Sequence, residues 1–394
     1  MSSTAEIKLS VLDMQPITPT TGGGRMRLLG LYHGLGKDLF CDYLGSYDWP
    51  GEPFREQKLS ETLRETTVPL SKEHFEQVRE LEAKLDGTCL VDTTFQRFCH
   101  LSKDYVEAAR AKIESADVVI LSHPWTYDIV RYVLDSSRQL LVYESHNFEG
   151  LLRSSLLDSL GETAREVIRD VIRIEYELCQ DADLILACSG EDLESFHRIY
   201  DLPADKIRVV PNGVFTESVS MPDLGDKNRA KVELGGGKQT VVLCMGSNAF
   251  PNREAVDFIL EHLAPALPEI DFMICGGICS AYDHLPSSAL LSNVKMKGPF
   301  SVEDKCLFLH GADYAINPMR SGSWTNIKMF DYFAAALPTV ATPVGARGIK
   351  DPAEPAYLRS SLEDFADTLH RLSQARGYCE QLSIAARRLC EDYY

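Results

Sequence analysis

Residues 182–214, ADLILACSGEDLESFHRIYDLPADKIRVVPNGV, contain the pattern that decides the fold of this chain. Two short apolar runs, LILACSG (184–190) and IRVVPNG (207–213), each end in turn-forming residues. Both are rich in Val, Ile and Leu, and neither alternates apolar with polar residues. Such runs are typical of strands that are buried on both faces, as in a parallel sheet.

The same pattern recurs along the chain. Further apolar runs of this kind are KLSVLDM (8–14), VVILSHP (118–124), LLVYESHN (140–147), VVLCMGS (241–247), FMICGG (272–277), VKMKG (294–298), YAINPM (314–319) and PTVATPVG (338–345). Between many of them, apolar residues at helical spacing predict helices over 162–180, 253–267, 328–336 and 361–373. Strands that alternate with helices predict an α/β protein with doubly wound sheets.

The alternation is interrupted at residues 215–238, which contain few large apolar side chains, many charges and three consecutive glycines. We interpret this segment as a linker between two Rossmann-like domains, residues 1–214 and 239–394. Within the first domain, residues 45–100 form an irregular insertion whose elements the pattern does not order.

The charge balance excludes one class of function. The chain has 394 residues, with 40 Lys and Arg against 58 Asp and Glu, a net charge of −18. Residues 1–214 carry 23 − 36 = −13, and residues 215–394 carry 17 − 22 = −5. A nucleic-acid-binding protein needs a basic excess, so no nucleic-acid partner is expected. An anionic ligand must be held by a few basic side chains or backbone amides.

The cysteines and the apolar segments predict the compartment. The 11 cysteines are scattered singly, and neither a disulfide framework nor a zinc-site spacing is present. The sequence contains no apolar stretch of the roughly 20 residues that a membrane span needs, and its N-terminus does not resemble a signal peptide. A cytoplasmic protein is therefore expected.

Candidate site residues in the first half follow predicted strands. Gly22, Gly23 and Gly24 come between the first strand and an apolar helix, where exposed amides favour an anion. His123 and His146 end neighbouring strands, and ligands bind beyond the carboxyl ends of strands in open α/β sheets. The alternatives are a tight turn for the glycines and structural roles for the histidines, of which His123 is the stronger candidate.

Candidate residues in the second half surround two strand–helix turns. Arg253 lies in the first turn of the predicted helix after GSNAFPN (246–252), where the dipole disfavours a positive charge unless an anion binds. The segment MRSGSWTNIK (319–328) predicts a diphosphate site, with backbone amides at 324–326, Lys328 beside them and Asp331 one turn later for ribose hydroxyls. The alternatives are a surface arginine and a structural loop.

No metal site is expected. Asp181-Ala-Asp183 has the spacing of a metal-dependent transferase, but it begins a predicted strand instead of ending one. We therefore favour a structural role for both carboxylates. No zinc-protease, Walker or nucleophile-elbow motif occurs in the sequence.

In sequence order, these segments resemble the retaining glycosyltransferases of family 4, which have the GT-B fold. The most specific segments are residues 182–214 and SGSWTNIKMFDYFAAALPTVATPVGARGI (321–349); ADVVILSHP (116–124) and YESHNFEG (143–150) add to the resemblance. It implies two Rossmann-like domains facing across a cleft, with the acceptor on the first and a nucleotide-sugar donor on the second. It also implies transfer of a sugar with retained configuration and no metal or other cofactor, the nucleotide-sugar being a substrate.

The resemblance also implies residue roles. Gly22–Gly24 contact the donor diphosphate or the acceptor, His123 lies beside the donor sugar, and Arg253 and the amides of 324–326 bind the diphosphate. Asp331 corresponds to the second acidic residue of the family, which binds ribose. The donor-binding candidates are then Gly22, Gly23, Gly24, Ser247, Ser323, Trp324, Thr325, Asn326 and Asp331, with His123, Arg253 and Lys328 catalytic and His146 on the acceptor side.

Two departures separate this chain from the family pattern. Ser323 replaces the first acidic residue, which normally touches the donor sugar, and Ser247 replaces a frequent arginine. Lys328 is expected to replace the lost positive charge. Because of Ser323, a non-catalytic GT-B scaffold or subunit stays open as an alternative, as does a nucleotide-sugar epimerase of the same fold.

The resemblance also implies the partners of the protein. They are a nucleotide-sugar donor and a glycan or lipid-linked acceptor, within glycan or glycolipid biosynthesis. Many relatives act at the cytoplasmic face of a membrane, so peripheral contact there stays open, although the acidic first half argues against a broad electrostatic anchor. The chain stops at ARRLCEDYY (386–394), where relatives cross back to the first domain, which also leaves further domains or subunits open.

Overall fold

The computed structural model describes residues 6–20, 22–85, 87–234, 239–286, 290–322, 325–352 and 354–394. The chain forms two compact units, which divide between Pro211 and Asn212. Helix Leu224–Glu233 lies within the predicted linker 215–238. It belongs to the second unit and begins with a capping box at Asp223.

The N-terminal unit is built on an eight-stranded sheet of order β3-β4-β2-β1-β5-β6-β7-β8. Its neighbouring strands are parallel except for β3, which runs antiparallel to β4 at the edge. The strands are β1 (Ile7–Leu12), β2 (Leu39–Gly45), β3 (Arg55–Lys58), β4 (Leu63–Thr67), β5 (Val118–Leu121), β6 (Leu140–Glu144), β7 (Leu184–Ala187) and β8 (Ile207–Val209).

Helices connect the parallel strands of this unit. They are α1 (Gly23–Tyr32), α2 (Lys72–Glu82), α3 (Phe95–Phe98), α4 (Lys103–Ser115), α5 (Tyr127–Val130), α6 (Glu149–Leu157), α7 (Glu162–Asp181) and α8 (Gly190–Ile199). The predicted helix 162–180 is confirmed as α7, and its apolar residues Val167, Val171, Ile174 and Leu178 are buried. Most of its stability therefore comes from packing of one face onto the sheet.

The C-terminal unit has a six-stranded, wholly parallel sheet of order β11-β10-β9-β12-β13-β14. The strands are β9 (Thr240–Met245), β10 (Ile270–Cys275), β11 (Val294–Met296), β12 (Tyr314–Asn317), β13 (Thr339–Ala341) and β14 (Leu358–Arg359). The helices are α9 (Leu224–Glu233), α10 (Phe250–Phe258), α11 (Ala264–Ala266), α12 (Val302–Gly311), α13 (Lys328–Ala334), α14 (Phe365–Gln374) and α15 (Arg376–Tyr393).

Successive side chains of the central strands enter different apolar clusters. In β9, Leu243 packs in one cluster of its unit and Val242 in the other. In β5, Val119 and Ile120 divide in the same way. Each sheet is therefore buried on both faces, which explains why its strands show continuous apolar runs and confirms the predicted doubly wound α/β fold.

The ten apolar runs all contain strands, but four strands were not predicted: β2, β3, β4 and β14. Strands β3 and β4 lie in the insertion 45–100 and both carry charged residues. Strand β3 is an edge strand with exposed residues, whereas β4 is mostly buried. Strand β14 has only two residues. Their pairing depends on neighbouring strands more than on their own hydrophobic pattern.

In both sheets the strand order reverses at one point, between β1 and β5 and between β9 and β12. At such a switch point the helices on either side leave a crevice beyond the carboxyl ends of the strands. Each unit therefore has one place where a ligand is expected.

Gly276 lies at the carboxyl edge of the C-terminal sheet, where the ends of β9 and β10 meet. It follows β10 with a φ of +105°, and a Cβ atom there would overlap the carbonyl oxygen of Gly246 after β9. The amide of Ile278 donates to the same oxygen at 3.1 Å. Only glycine allows this approach of two backbone segments.

We expect Gly276→Ala to lower the free energy of unfolding of the C-terminal unit by about 2–4 kcal/mol, from left-handed strain plus overpacking. Urea denaturation measures it. The matched control is Gly377→Ala in α15, where a Cβ meets no atom within 4 Å and stability should not fall. Equal stability of both variants would contradict this account.

Candidate active site

The N-terminal switch point brings two charged residues together. Asp13 follows β1, His123 follows β5, and Nδ1 of His123 donates to Oδ1 of Asp13 over 2.9 Å. On the other side of the ring, Nε2 lies 4.0 Å from Oε1 of Glu149 at the start of α6. Burial by itself would lower the pKa of His123, but the charges of Asp13 and Glu149 outweigh it and raise that pKa to about 9.

His146 lies directly against His123, with 4.2 Å between the ring centroids. Its Nε2 is 3.1 Å from Oε2 of the buried Glu144, which also accepts Nε of Arg27 at 2.6 Å. Burial lowers the pKa of His146 despite Glu144. The pKa of Glu144 is lowered as well, because Arg27 and His146 outweigh its burial.

A second ion-pair chain supports Glu149. Arg153 donates from Nε to Oε2 of Glu149 at 3.0 Å and from Nη2 to Oδ2 of Asp92 at 3.1 Å. Buried Glu175 of α7 accepts the amides of Glu149 and Gly150, each at 2.8 Å. The first turn of α6 is thereby fixed, and with it the carboxylate that faces His123.

The glycine loop lies beside the two histidines. Helix α1 begins at Gly23 without a side-chain cap, after Gly22 with φ +81°. Glu65 of β4 holds the preceding chain by accepting the amides of Ile17 at 2.6 Å and Thr18 at 3.1 Å. A Cβ atom on Gly24 would lie 3.5 Å from Nδ1 of His146, so the glycine loop lies next to this ring.

The C-terminal switch point is marked by Lys328, the first residue of α13. Its Nζ donates to Oδ1 of Asn252 at 2.6 Å and lies 3.8 Å from Sδ of Met319. No carboxylate of a described residue pairs with it, and burial lowers its pKa. A partly buried cation without an anionic partner indicates a place for an anionic ligand.

Arg253 lies one residue beyond Asn252 but faces different partners. It is exposed, and its Nε donates to Oδ1 of Asn248 at 2.8 Å. With Tyr282 and Asn248 it lines a surface cavity of about 730 Å³. The structure therefore places both predicted cations after β9 and β12, without a shared hydrogen-bond partner.

The remaining predicted residues of this unit are held by other parts of it. Thr325 and Asn326 are buried just before α13, and Nδ2 of Asn326 donates to the carbonyl of Val344 at 3.2 Å. Asp331 pairs with Lys305 at 2.9 Å, and burial raises its pKa in spite of that cation. The carbonyl oxygen of Ser247 accepts a hydrogen bond from Nδ2 of Asn252. The predicted Ser323 and Trp324 lie outside the described residues.

The carboxylates of the Asp-Ala-Asp segment serve the fold. Asp181 accepts the hydroxyl of Tyr127, and Asp183 accepts the amide of Leu141 at 2.8 Å. Among the described residues, no group of three or more His, Cys, Asp or Glu could hold a metal ion.

None of the helices in the described part is long and apolar enough to cross a membrane.

Two family models match successive parts of the chain. Residues 82–218 match Glycosyltransferase Family 4, and residues 239–375 match Glycosyl transferases group 1. Together they match more than half of the sequence. The chain belongs to the group 1 glycosyltransferases. A search of curated protein sequences found no match.

Solved structures show that this glycosyltransferase has the GT-B fold. Sucrose-phosphate synthase from Thermosynechococcus elongatus superposes with a TM-score of 0.72 at 14% identity, over 98% of this chain and 95% of the other. Anabaena HepE in complex with UDP and glucose superposes with a TM-score of 0.68 at 12% identity, over 98% of this chain and 95% of the other. WaaG, a glycosyltransferase involved in lipopolysaccharide biosynthesis, superposes with a TM-score of 0.63 at 16% identity, over 98% of this chain and 95% of the other.

The sequence did not predict several residues that the structure places at the two candidate sites. Asp13, Glu144 and Glu149 surround the histidines, and Asn252 holds Lys328. Asp13 and Glu144 each end or follow a predicted strand, so a survey of charged residues at strand ends would have found them. Glu149 and Asn252 are brought in by helices, and only tertiary contacts reveal their partners.

Replacing Lys328 separates ligand binding from stability in this glycosyltransferase. Lys328→Met removes a partly buried charge that forms no ion pair with a described residue, so we expect the free energy of unfolding to change by no more than about 1 kcal/mol. Inorganic pyrophosphate should stabilise the wild-type protein in a thermal-shift assay and lose that effect in the variant. Unchanged stabilisation by pyrophosphate would contradict an anion site at Lys328.

Arg27→Met should lower the free energy of unfolding by about 3–5 kcal/mol at pH 7, because it leaves Glu144 as a buried charge without its cationic partner. The pKa of Glu144 is lowered in the folded protein, so its charge stabilises above the unfolded value of 4.5 and ceases to do so as pH falls. In the variant, protonation of Glu144 removes its unpaired charge. The loss of unfolding free energy relative to the wild-type protein should therefore be smaller at acidic pH.

Urea denaturation at pH 4 and pH 7 measures this difference. The matched control is Arg165→Met, whose exposed ion pairs with Asp158 and Glu162 should contribute less than about 1 kcal/mol. A pH-independent deficit for Arg27→Met would show that the loss comes from packing alone.

Proposed function

We propose that this glycosyltransferase moves a sugar from a nucleotide-sugar to an acceptor hydroxyl with retention of configuration and without a metal ion or other cofactor. The observation that carries the proposal is Lys328, a partly buried cation at a switch point without a carboxylate partner among the described residues. A sugar-nucleotide diphosphate supplies the missing negative charge.

The donor class follows from charge and position. The residues assigned to the diphosphate are Lys328, Arg253 and the amides around Thr325 and Asn326, while Asp331 is assigned to the ribose. HepE, which shares the fold, has been solved in complex with UDP-glucose. This supports a nucleotide-sugar as the donor and makes uridine diphosphate sugars the first probes.

In the proposed reaction the bond between the anomeric carbon and the diphosphate oxygen breaks, and a bond from that carbon to the acceptor oxygen forms on the same face. The hydroxyl proton passes to the departing phosphate oxygen, so no protein base is needed. Negative charge develops on the diphosphate, where Lys328, Arg253 and backbone amides stabilise it electrostatically. His123, held by Asp13, donates a hydrogen bond to the donor sugar.

The acceptor is assigned to the N-terminal unit, near the glycine loop and His146. A glycan or a lipid-linked sugar at the cytoplasmic side of a membrane both supply a suitable hydroxyl. The net charge of −13 over residues 1–214 favours a local contact with any membrane over a broad electrostatic one. Ser323 in place of an acidic residue favours donors that do not need a carboxylate at that position.

A thermal-shift screen of nucleotides and nucleotide-sugars, followed by assays of nucleotide release, tests the proposal. A donor at 100 times its Kd should stabilise the folded protein by about 2.7 kcal/mol. Arg253→Ala and Lys328→Met should each weaken that effect. Turnover should survive EDTA, and NMR of the product should show the donor's anomeric configuration.

Three outcomes would contradict parts of this assignment. Inversion at the anomeric carbon overturns retention, and loss of turnover with EDTA overturns metal independence. Nucleotide binding without turnover for any donor and acceptor would instead favour a non-catalytic subunit.

A further inference from the structure

The two stacked histidines of the N-terminal unit lie in opposite charge environments. Both nitrogens of His123 face carboxylates, Nδ1 towards Asp13 at 2.9 Å and Nε2 towards Glu149 at 4.0 Å. Carboxylates only accept hydrogen bonds, so a proton is favoured on each nitrogen. Asp92 adds negative charge from further away, as does Asp48 in the segment that follows β2.

Within the described parts of the chain, His146 pairs with one carboxylate, that of Glu144, and the negative charge of Glu144 is already balanced. Nε2 must carry the hydrogen that is shared with Glu144, 3.1 Å away. Glu144 is neutralised by Arg27 at 2.6 Å, and the cationic ring of His123 lies 4.2 Å away. A second positive charge on His146 is therefore repelled by both cations and penalised by burial, which agrees with its lowered pKa.

A neutral His146 with its hydrogen on Nε2 leaves a lone pair on Nδ1. In the part of the chain that the structure describes, no residue donates a hydrogen bond to this atom. It faces Gly24, where a Cβ would stand 3.5 Å from Nδ1 and 3.1 Å from Nε2 of Gln15. Oε1 of Gln15 would also be 3.4 Å away, so a side chain at position 24 would crowd the Gln15 amide and the lone pair of His146, which glycine avoids.

Resting on the proposed transferase function, we propose that the two imidazoles divide the binding of the substrates. His123 is the cation that donates a hydrogen bond, and His146 is the neutral ring that accepts, at Nδ1, the hydroxyl hydrogen of the acceptor sugar. A lone pair at this position repels phosphate oxygens. The group bound in front of Gly24 is therefore an uncharged carbohydrate hydroxyl.

This division gives the acceptor hydroxyl a direction. When its hydrogen points at Nδ1 of His146, its lone pairs point away from Gly24. Orientation of this kind lowers the barrier to attack without transfer of the proton to the protein. The proton leaves later with the phosphate oxygen, and His146 stays a positioning and binding group.

The charge division can be measured without any substrate. The full chain is labelled with ¹⁵N-histidine, and the ring nitrogens are followed by NMR between pH 5.5 and 9, with His123→Gln and His146→Gln as assignment variants. At pH 7.5 we expect both nitrogens of His123 to carry hydrogen and His146 to carry it on Nε2 alone. Asp13→Asn should move the titration of His123 to lower pH.

Either of two results overturns the proposal: a hydrogen on Nδ1 of His146 at pH 7.5, or loss of the His123 proton below pH 7 in the wild-type protein. This readout does not depend on turnover. If the wild-type protein transfers no sugar, the proposed function fails, while the spectra still decide the charge division.

A matched pair of variants tests the role of Nδ1. The side-chain oxygen of His146→Asn lies where Nδ1 was, whereas His146→Gln reaches the position of Nε2 and loses the acceptor atom. With UDP-glucose and methyl glucosides, we expect kcat/KM for the acceptor to fall about 10- to 100-fold in His146→Gln and less than about tenfold in His146→Asn. Equal losses in both variants would overturn the assignment of Nδ1.

Gly24→Ala tests the space in front of His146. The added methyl group should lower kcat/KM for the acceptor at least about tenfold because it occupies the place of the hydroxyl. Gly30→Ala in the same helix, where a Cβ meets no atom within 4 Å, should retain wild-type transfer. Circular dichroism confirms the folding of both, and wild-type transfer by Gly24→Ala would overturn the placement of the hydroxyl.

Discussion

All strands of a parallel sheet end at the same edge, and the order of the strands decides where that edge opens. In this glycosyltransferase the order reverses between β1 and β5 and again between β9 and β12. Residues that are distant in sequence meet at these two points, such as Asp13 with His123 and Asn252 with Lys328. The placement of both sites depends on this topological constraint.

The two sites handle buried charge in different ways. In the N-terminal unit, Arg27 pairs with Glu144 and Arg153 with Glu149, so the charged groups are largely compensated within the fold. Such pairs fix the geometry of a site, although their net contribution to stability is small because desolvation offsets attraction. In the C-terminal unit, the side-chain partners of Lys328 among the described residues are an amide oxygen and a thioether. The first arrangement is compensated within the fold, whereas the proposed diphosphate would supply the negative charge that the second lacks.

The acidic composition is consistent with this division. A net charge of −18 opposes a polymer of phosphates, which needs many cations over a broad surface. It does not oppose one diphosphate, which needs a few donors in a lined crevice. The C-terminal half, which contains Lys328 and Arg253, is also the less acidic one, with −5 against −13.

The sequence by itself determined the fold class, the ten short apolar strands and the family, because these depend on local hydrophobic runs and short motifs such as residues 321–349. It also predicted His123, His146 and Lys328, which end strands or begin a helix. It did not predict β2, and it could not order the charged strands β3 and β4, whose positions depend on pairing with neighbouring strands. Only the tertiary structure decided that Asp13, Glu144 and Glu149 divide charge between the two histidines, because partner choice in a buried network depends on distances across the sheet.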